Sequence, residues 1–392
     1  MAKGRVILTN ASIRTSRQTI DNASIVCEGG RIAAITPRET AVHTADEVID
    51  CSGLVAAPGF IDLHLHGFGG RDSREGTAES ITAMAAACTP FGVTAIVPTL
   101  TVLSDENWRI SSRAVRDAME MNGAGAHILG IHMEGPFLSL KNKGGIFGGG
   151  LAQPSNEILD KCFDFCGDAL RIMTLAPELE GATAVIERLL DRGVVVSVGH
   201  SGASYEQAAA AFRQGCRHVA HLFNGMPGIA SRDPGVVAAA LLDDTVAVEL
   251  IADGHHVAAP NILAVMRVKP REKICLVTDA CKACGTNLTG FDNPSGFRVE
   301  IRDGRTWGPD DKLVGSVLTL DQALRNVLAW SPLSLNDALA FLTENPARQL
   351  GLYPQKGEIA VGSDADLVLL DNNLHVARTF VGGQLRYTRD AA

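Results

Sequence analysis

The stretch GFIDLHLH (residues 59–66) decides the fold. It is apolar at Phe60, Ile61, Leu63 and Leu65 and closes on His64 and His66. A short run this apolar reads as a buried strand of a parallel sheet. Residues two apart on a strand point to the same side, so the two imidazoles have the spacing to chelate one ion. Both sit at the C-terminal end of the run, where barrel enzymes place their chemistry.

Seven further apolar runs follow, at 93–99, 128–134, 170–176, 194–200, 219–222, 246–252 and 274–279. Amphipathic or Ala-rich stretches at 78–87, 106–121, 156–166, 181–192 and 205–213 separate most of them, and 321–330 and 335–350 close the region. Eight strands alternating with helices predict an α/β fold, a (β/α)₈ TIM-like barrel. An open doubly wound sheet is the competing architecture, but it would carry a G-x-G-x-x-G turn after its first strand, and none occurs. Short strand-like runs at 5–9, 23–28, 31–36 and 47–50, and again at 365–371 and 379–381, predict a small β-sandwich built from both termini. The expected division is residues 1–57 and 357–392 for the sandwich and 58–356 for the barrel.

The other runs also end in metal ligands or acids. The third ends in His132-Met133-Glu134, the fifth in His200, and the sixth passes into His221. The seventh is followed by Asp253-Gly254-His255-His256, and the eighth ends in Asp279. Imidazole and carboxylate donors suit zinc and other first-row divalent ions. Asp279, at the barrel mouth, is placed to take a proton from a water beside such an ion and deliver it to a leaving amine. The fourth run, 170–176, has no lysine that could be carboxylated to bridge two ions, so the donor set draws on Glu134 instead.

Composition narrows the function further. A formal charge of −9 argues against a nucleic-acid partner. The nine scattered cysteines do not form a secretory disulfide framework, and Cys281 and Cys284 read as a lone packing pair. The opening MAKGRVILTNASI has no apolar leader, and no run is long enough to span a membrane. These features predict a cytoplasmic enzyme.

The segments PGFIDLHLHGFGG (58–70), HMEGPFL (132–138), GHSGA (199–203), AHLFNGMPGIASRDPG (220–235), ADGHH (252–256), LVTDA (276–280), ENPARQLGL (344–352) and KGEIAVGSDADLVLLD (356–371) resemble, in order and over nearly the whole chain, the N-acetylglucosamine-6-phosphate deacetylase family of the amidohydrolase superfamily. The resemblance implies metal-dependent hydrolysis of N-acetylglucosamine 6-phosphate to glucosamine 6-phosphate and acetate. It implies Glu134, His200 and His221 as primary ligands of a divalent ion, zinc foremost, with iron, manganese or cobalt as alternatives. His64 and His66 would hold a second ion, and Asp279 would be the catalytic acid and base. Asn224, Gly225 and His256 would line the sugar site, Arg232 would bind the 6-phosphate across a homodimer interface, and Leu313, Val314 and Gly315 would contact substrate.

One departure stands out. Where the family carries a histidine that polarises the acetyl carbonyl, this chain reads KNKGGIFGGG (141–150), with Ile146 at that position. Ile146 cannot donate a hydrogen bond, and losing such a donor costs ~2.7–4 kcal/mol in other enzymes. A second metal, another residue or a different substrate would have to compensate. N-acetylgalactosamine 6-phosphate is therefore the nearest alternative substrate. An N-acyl-amino-acid or dihydroorotase-like activity, or a non-catalytic scaffold, is a more distant reading.

Overall fold

The computed structural model describes residues 5–37, 47–101, 104–121 and 123–389. The first four residues of the opening segment therefore lie outside the described residues. Eight parallel strands, Phe60–Leu65, Val93–Thr101, Ile131–Glu134, Leu170–Leu175, Val195–Val198, His218–Val219, Ala247–Leu250 and Ile274–Leu276, pair each with the next. The first two are buried at every position, which is why their sequence shows a continuous apolar run rather than an alternation.

The ring closes between the eighth and first strands at their C-terminal ends. Asp279 N–H donates to the His64 carbonyl at 2.8 Å, and His66 N–H donates to the Ala280 carbonyl at 2.8 Å. The opposite end is closed where a helix is interrupted. The sequence predicts one helix over 335–350, but two short ones form, Leu335–Ala340 and Glu344–Gln349. Pro346 cannot sit inside a continuous helix, because it lacks an N–H and its ring clashes with the carbonyl four residues back. The freed carbonyls of Phe341 and Leu342 accept from Leu276 N–H (2.9 Å) and Ile61 N–H (2.8 Å) of the eighth and first strands.

Most surrounding helices begin where the sequence predicts. Ser104, Ser155 and Ser204 cap Asp105–Glu120, Asn156–Cys166 and Tyr205–Gln214 by accepting from backbone N–H groups of the first turn. Two helices were not anticipated, Gly235–Leu242 and Ala259–Val268. A three-stranded antiparallel insert, Gly290–Asn293, Phe297–Arg302 and Arg305–Trp307, also follows the eighth strand.

Both ends of the chain build the second unit, as expected for this fold class. Its strands hydrogen-bond in the order Gln384–Thr388, Val376–Val381, Leu367–Leu370, Val55–Pro58, Val6–Arg14, Thr19–Glu28 and Arg31–Pro37, with Glu47–Asp50 beside Val6–Arg14. The sheet curls back on itself, since Ile32 N–H reaches the Ser363 carbonyl and Ala365 N–H the Gly30 carbonyl, each at 2.9 Å. Alternation along Leu367–Leu370 shows the two environments: Leu367 and Leu369 join the small unit's core, and Val368 and Leu370 join the barrel's. All nine cysteines are free and buried.

Candidate metal centre

The predicted donors converge at the C-terminal mouth of the barrel. Glu134 is the last residue of the third strand. His200, His221 and Asp279 each lie just beyond a strand end, and each has a positive φ, +48°, +28° and +49°. Non-glycine residues are rarely found there, at a cost of order 1–3 kcal/mol each. The same left-handed step at three strand ends turns these side chains inward over the barrel axis.

Glu134 Oε1 lies 3.0 Å from His200 Nε2 and 3.0 Å from His221 Nε2, and the two nitrogens are 3.1 Å apart. His200 Nδ1 faces the Asn142 carbonyl at 3.0 Å, so that nitrogen carries the proton and Nε2 presents a lone pair. Three donor atoms this close together have the spacing of ligands to one cation. Three atoms so spaced lie about 1.8 Å from their common centre, so an ion at the ~2.0–2.1 Å of zinc–nitrogen and zinc–oxygen bonds fits just above their plane.

His64 and His66 extend the cluster. His66 Nε2 lies 3.0 Å from Asp279 Oδ1, and His64 Nε2 lies 3.4 Å from Glu134 Oε1. Among the described residues, His64, His66 and Asp279 make one group with metal-ligand spacing, and His64, Glu134 and His221 make another. Because His64 belongs to both, the geometry gives one continuous patch of donors rather than two separate pairs. His64 Nε2 is buried with no hydrogen-bond partner, which fits a site built for cations.

The electrostatics agree. Burial alone would raise the Glu134 carboxyl, but the imidazoles packed against it, His200 foremost, hold it well below the ordinary carboxylate range. Asp279 is likewise held down against burial, by its hydrogen bond to His66 and by the imidazoles of His64, His66 and His221 around it. An ionised carboxylate at that point can accept a proton. His132, two residues before Glu134 and on the same side, lies deeper. Burial pushes it down to about 3, and its ring nitrogens face Thr99 and Thr174 hydroxyls. It is a neutral packing histidine and not a donor at the mouth.

A cavity of about 330 Å³ opens over these donors. His66, Glu134, His200, His221 and Asp279 line it, and so do Asn224, Gly225, His256, Leu313, Val314 and Gly315. His64 is fully buried behind them. Arg232 does not line the cavity and is exposed on the loop after Gly225. Ile146 does line it, and packs with Leu138 and Leu151. Cys281 is also at the wall, its thiol pushed up to about 12 by burial, so it is inert there.

Charged residues at and beneath the cavity escaped the sequence reading, Asp72, Arg74 and Glu249 among them. Arg74 lines the cavity and is bound bidentately by Asp72, with both contacts at 2.8 Å. It also donates to Thr101 at 3.0 Å and to Ser295, in the turn of the insert, at 3.3 Å. Glu249 lies beneath the cavity against His64 and His218. The available signal for it was one acid inside an otherwise apolar strand, Ala247–Leu250.

Comparison with known proteins gives a consistent picture. Residues 55–386 match the model of the Amidohydrolase family. The chain is 30% identical to the N-acetylglucosamine-6-phosphate deacetylase of Bacillus subtilis (strain 168), over 97% of each chain. It is 32% identical to the N-acetylgalactosamine-6-phosphate deacetylase of Escherichia coli O157:H7, over 97% of this chain and 98% of that one. The crystal structure of N-acetylglucosamine-6-phosphate deacetylase from Pasteurella multocida superimposes with a TM-score of 0.92 at 30% identity, covering 98% of this chain and 100% of that one.

Proposed function

Because this chain belongs to the amidohydrolase family, we propose that it removes the acetyl group of N-acetylglucosamine 6-phosphate, releasing acetate and the free amino-sugar phosphate. The observation that carries this reading is the triangle of Glu134, His200 and His221 donors, 3.0–3.1 Å on a side, in the same cavity as the ionised Asp279. Near full-length likeness to sugar-phosphate deacetylases supports the substrate class.

In this reading Glu134, His200 and His221 hold a divalent ion, with His64 and His66 beside them. Zinc is the leading candidate, because two imidazoles and a carboxylate are one of its sets in catalytic sites. Bound there, the ion supplies Lewis acidity, acidifying water and polarising the amide carbonyl. Asp279 takes the proton of the attacking water and passes it to the departing sugar nitrogen. His256, held by Asp253 at 2.6 Å, lines the sugar site with Asn224 and Gly225, where a charged imidazole can meet the phosphate, and the Leu313–Val314–Gly315 segment positions the ring. Ile146 gives no hydrogen bond to the carbonyl, so the polarisation falls on the ion.

Arg232 is read as completing the phosphate site of a second copy in a homodimer. Exposed apolar Leu140, Phe147 and Ile229, on the same loops that border the cavity, support that assembly. No helix among the described residues is long and apolar enough to cross a membrane, and the free cysteines fit the cytoplasm.

Likeness to enzymes of both epimers, at 30% and 32% identity, keeps N-acetylgalactosamine 6-phosphate as a second reading. Acetate release from the two epimeric phosphates decides between them. The proposal expects a higher kcat/KM for the glucosamine compound. Preference for the galacto epimer would replace it, and inactivity on both would refute the substrate class.

A further inference from the structure

Glu249 is a fully buried carboxylate that the proposed chemistry does not use. It sits on the seventh strand between Val248 and Leu250, where packing alone would call for another apolar residue. Its Oε2 lies 2.9 Å from His64 Nδ1 and 3.1 Å from the backbone nitrogen of His221. Its Oε1 lies 2.9 Å from His218 Nε2. Burying a carboxylate is costly unless its lone pairs are satisfied, and here three donors satisfy them.

An ionised carboxylate can only accept, so each of these partners must donate. This fixes the His64 tautomer. The proton sits on Nδ1, and Nε2 offers a lone pair toward Glu134 and Asp279. That Nε2 has no hydrogen-bond partner of its own. The same Oε2 also pins the N–H of His221, the residue whose positive φ swings its ring onto Glu134. A single oxygen atom thereby sets the ring of one donor and the backbone turn of another.

We propose that Glu249 is a positioning residue that couples the two overlapping donor groups and makes His64 competent to hold an ion. It does not line the cavity and touches no substrate. Carboxylate partners of metal-binding histidines orient the ring and raise its basicity, and their loss typically costs 10–100-fold in metal affinity. The proposal rests on reading the cavity as a metal centre.

The test is calorimetric titration of zinc into the metal-stripped full chain, with elemental analysis. The wild type is expected to bind two ions per chain, and His64→Ala to lose one. Glu249→Leu should weaken that same ion roughly 10–100-fold. Glu249→Gln, which can still accept from His64 and His221 but lacks the charge, should fall between. Nitrogen NMR of the stripped wild type should show His64 protonated at Nδ1, a readout independent of whether the Leu variant folds. Wild-type affinity for both ions in the Glu249 variants would overturn the proposal. So would a His64 protonated at Nε2 and not at Nδ1, or a wild type whose only ion is indifferent to His64→Ala. A wild type that binds no zinc would instead overturn the metal-centre reading beneath it.

Discussion

At the scale of single residues, the clustering of the candidate donors was legible because they sit where apolar runs stop. His64, His66, Glu134, His200, His221 and Asp279 interrupt hydrophobic sequence at the end of the barrel where ligands bind. Glu249 was not legible, because its partners His64 and His218 come from distant strands, 185 and 31 residues away. Arg74 follows a glycine turn with no periodicity to place it. The structure also shows what the cavity-facing His256 depends on. Burial would lower its pKa, but the hydrogen bond and charge of Asp253 and the charge of Asp279 raise it above the ordinary value of 6.5. The imidazole therefore stays charged to higher pH than usual. If it faces the phosphate, KM should rise as pH climbs through that raised pKa, on the order of tenfold for the ~1.5 kcal/mol of a charge-assisted hydrogen bond. Asp253→Asn should move the rise to lower pH. A KM that is flat between pH 6 and 9 in both proteins would remove His256 from phosphate binding.

At the scale of elements, most barrel strands proved shorter than their apolar runs, the second, Val93–Thr101, excepted. The fifth run, 194–200, gives only Val195–Val198, and the eighth, 274–279, only Ile274–Leu276. The remainder is buried loop that bends inward at His200 and Asp279, so burial outlasts the ladder. Gly235–Leu242 was missed for a related reason: it is buried at every position but its last, and a helix without a polar face shows no 3.6-residue period. Within the insert, the turn linking Gly290–Asn293 to Phe297–Arg302 brings Asn293 and Ser295 to the cavity wall. Its sequence carries turn signals, but it lies between the apolar run 274–279 and the helical stretch 321–330, where no strand was expected.

At the scale of the whole molecule, the two-ended design was readable in outline and its fastening was not. The segment that joins barrel to sheet is held by buried ion pairs. Lys356 Nζ reaches Asp366 at 2.6 Å and Asp364 at 2.9 Å, and Asp366 also accepts from Gly382 N–H. Burial would raise Asp366, but the His127 hydrogen bond and the Lys356 charge bring it down to about 2. A carboxyl depressed in the folded state stabilises it above its unfolded pKa, near 4, and loses that contribution as pH falls toward 2. The amount is on the order of 2 kcal/mol. Urea midpoints measured from pH 5 to pH 2 should therefore fall less steeply in Asp366→Asn than in the wild type, and parallel curves would contradict this.

The central claim is that an ion-holding cluster and a separate proton carrier share one cavity. Asp279→Asn tests it most directly, with acetate release and bound metal measured on the same sample. The account predicts that turnover of N-acetylglucosamine 6-phosphate falls roughly 10²–10⁴-fold while the ion at Glu134, His200 and His221 is retained. Wild-type turnover in that variant, or undiminished turnover by the metal-stripped wild type, would contradict it.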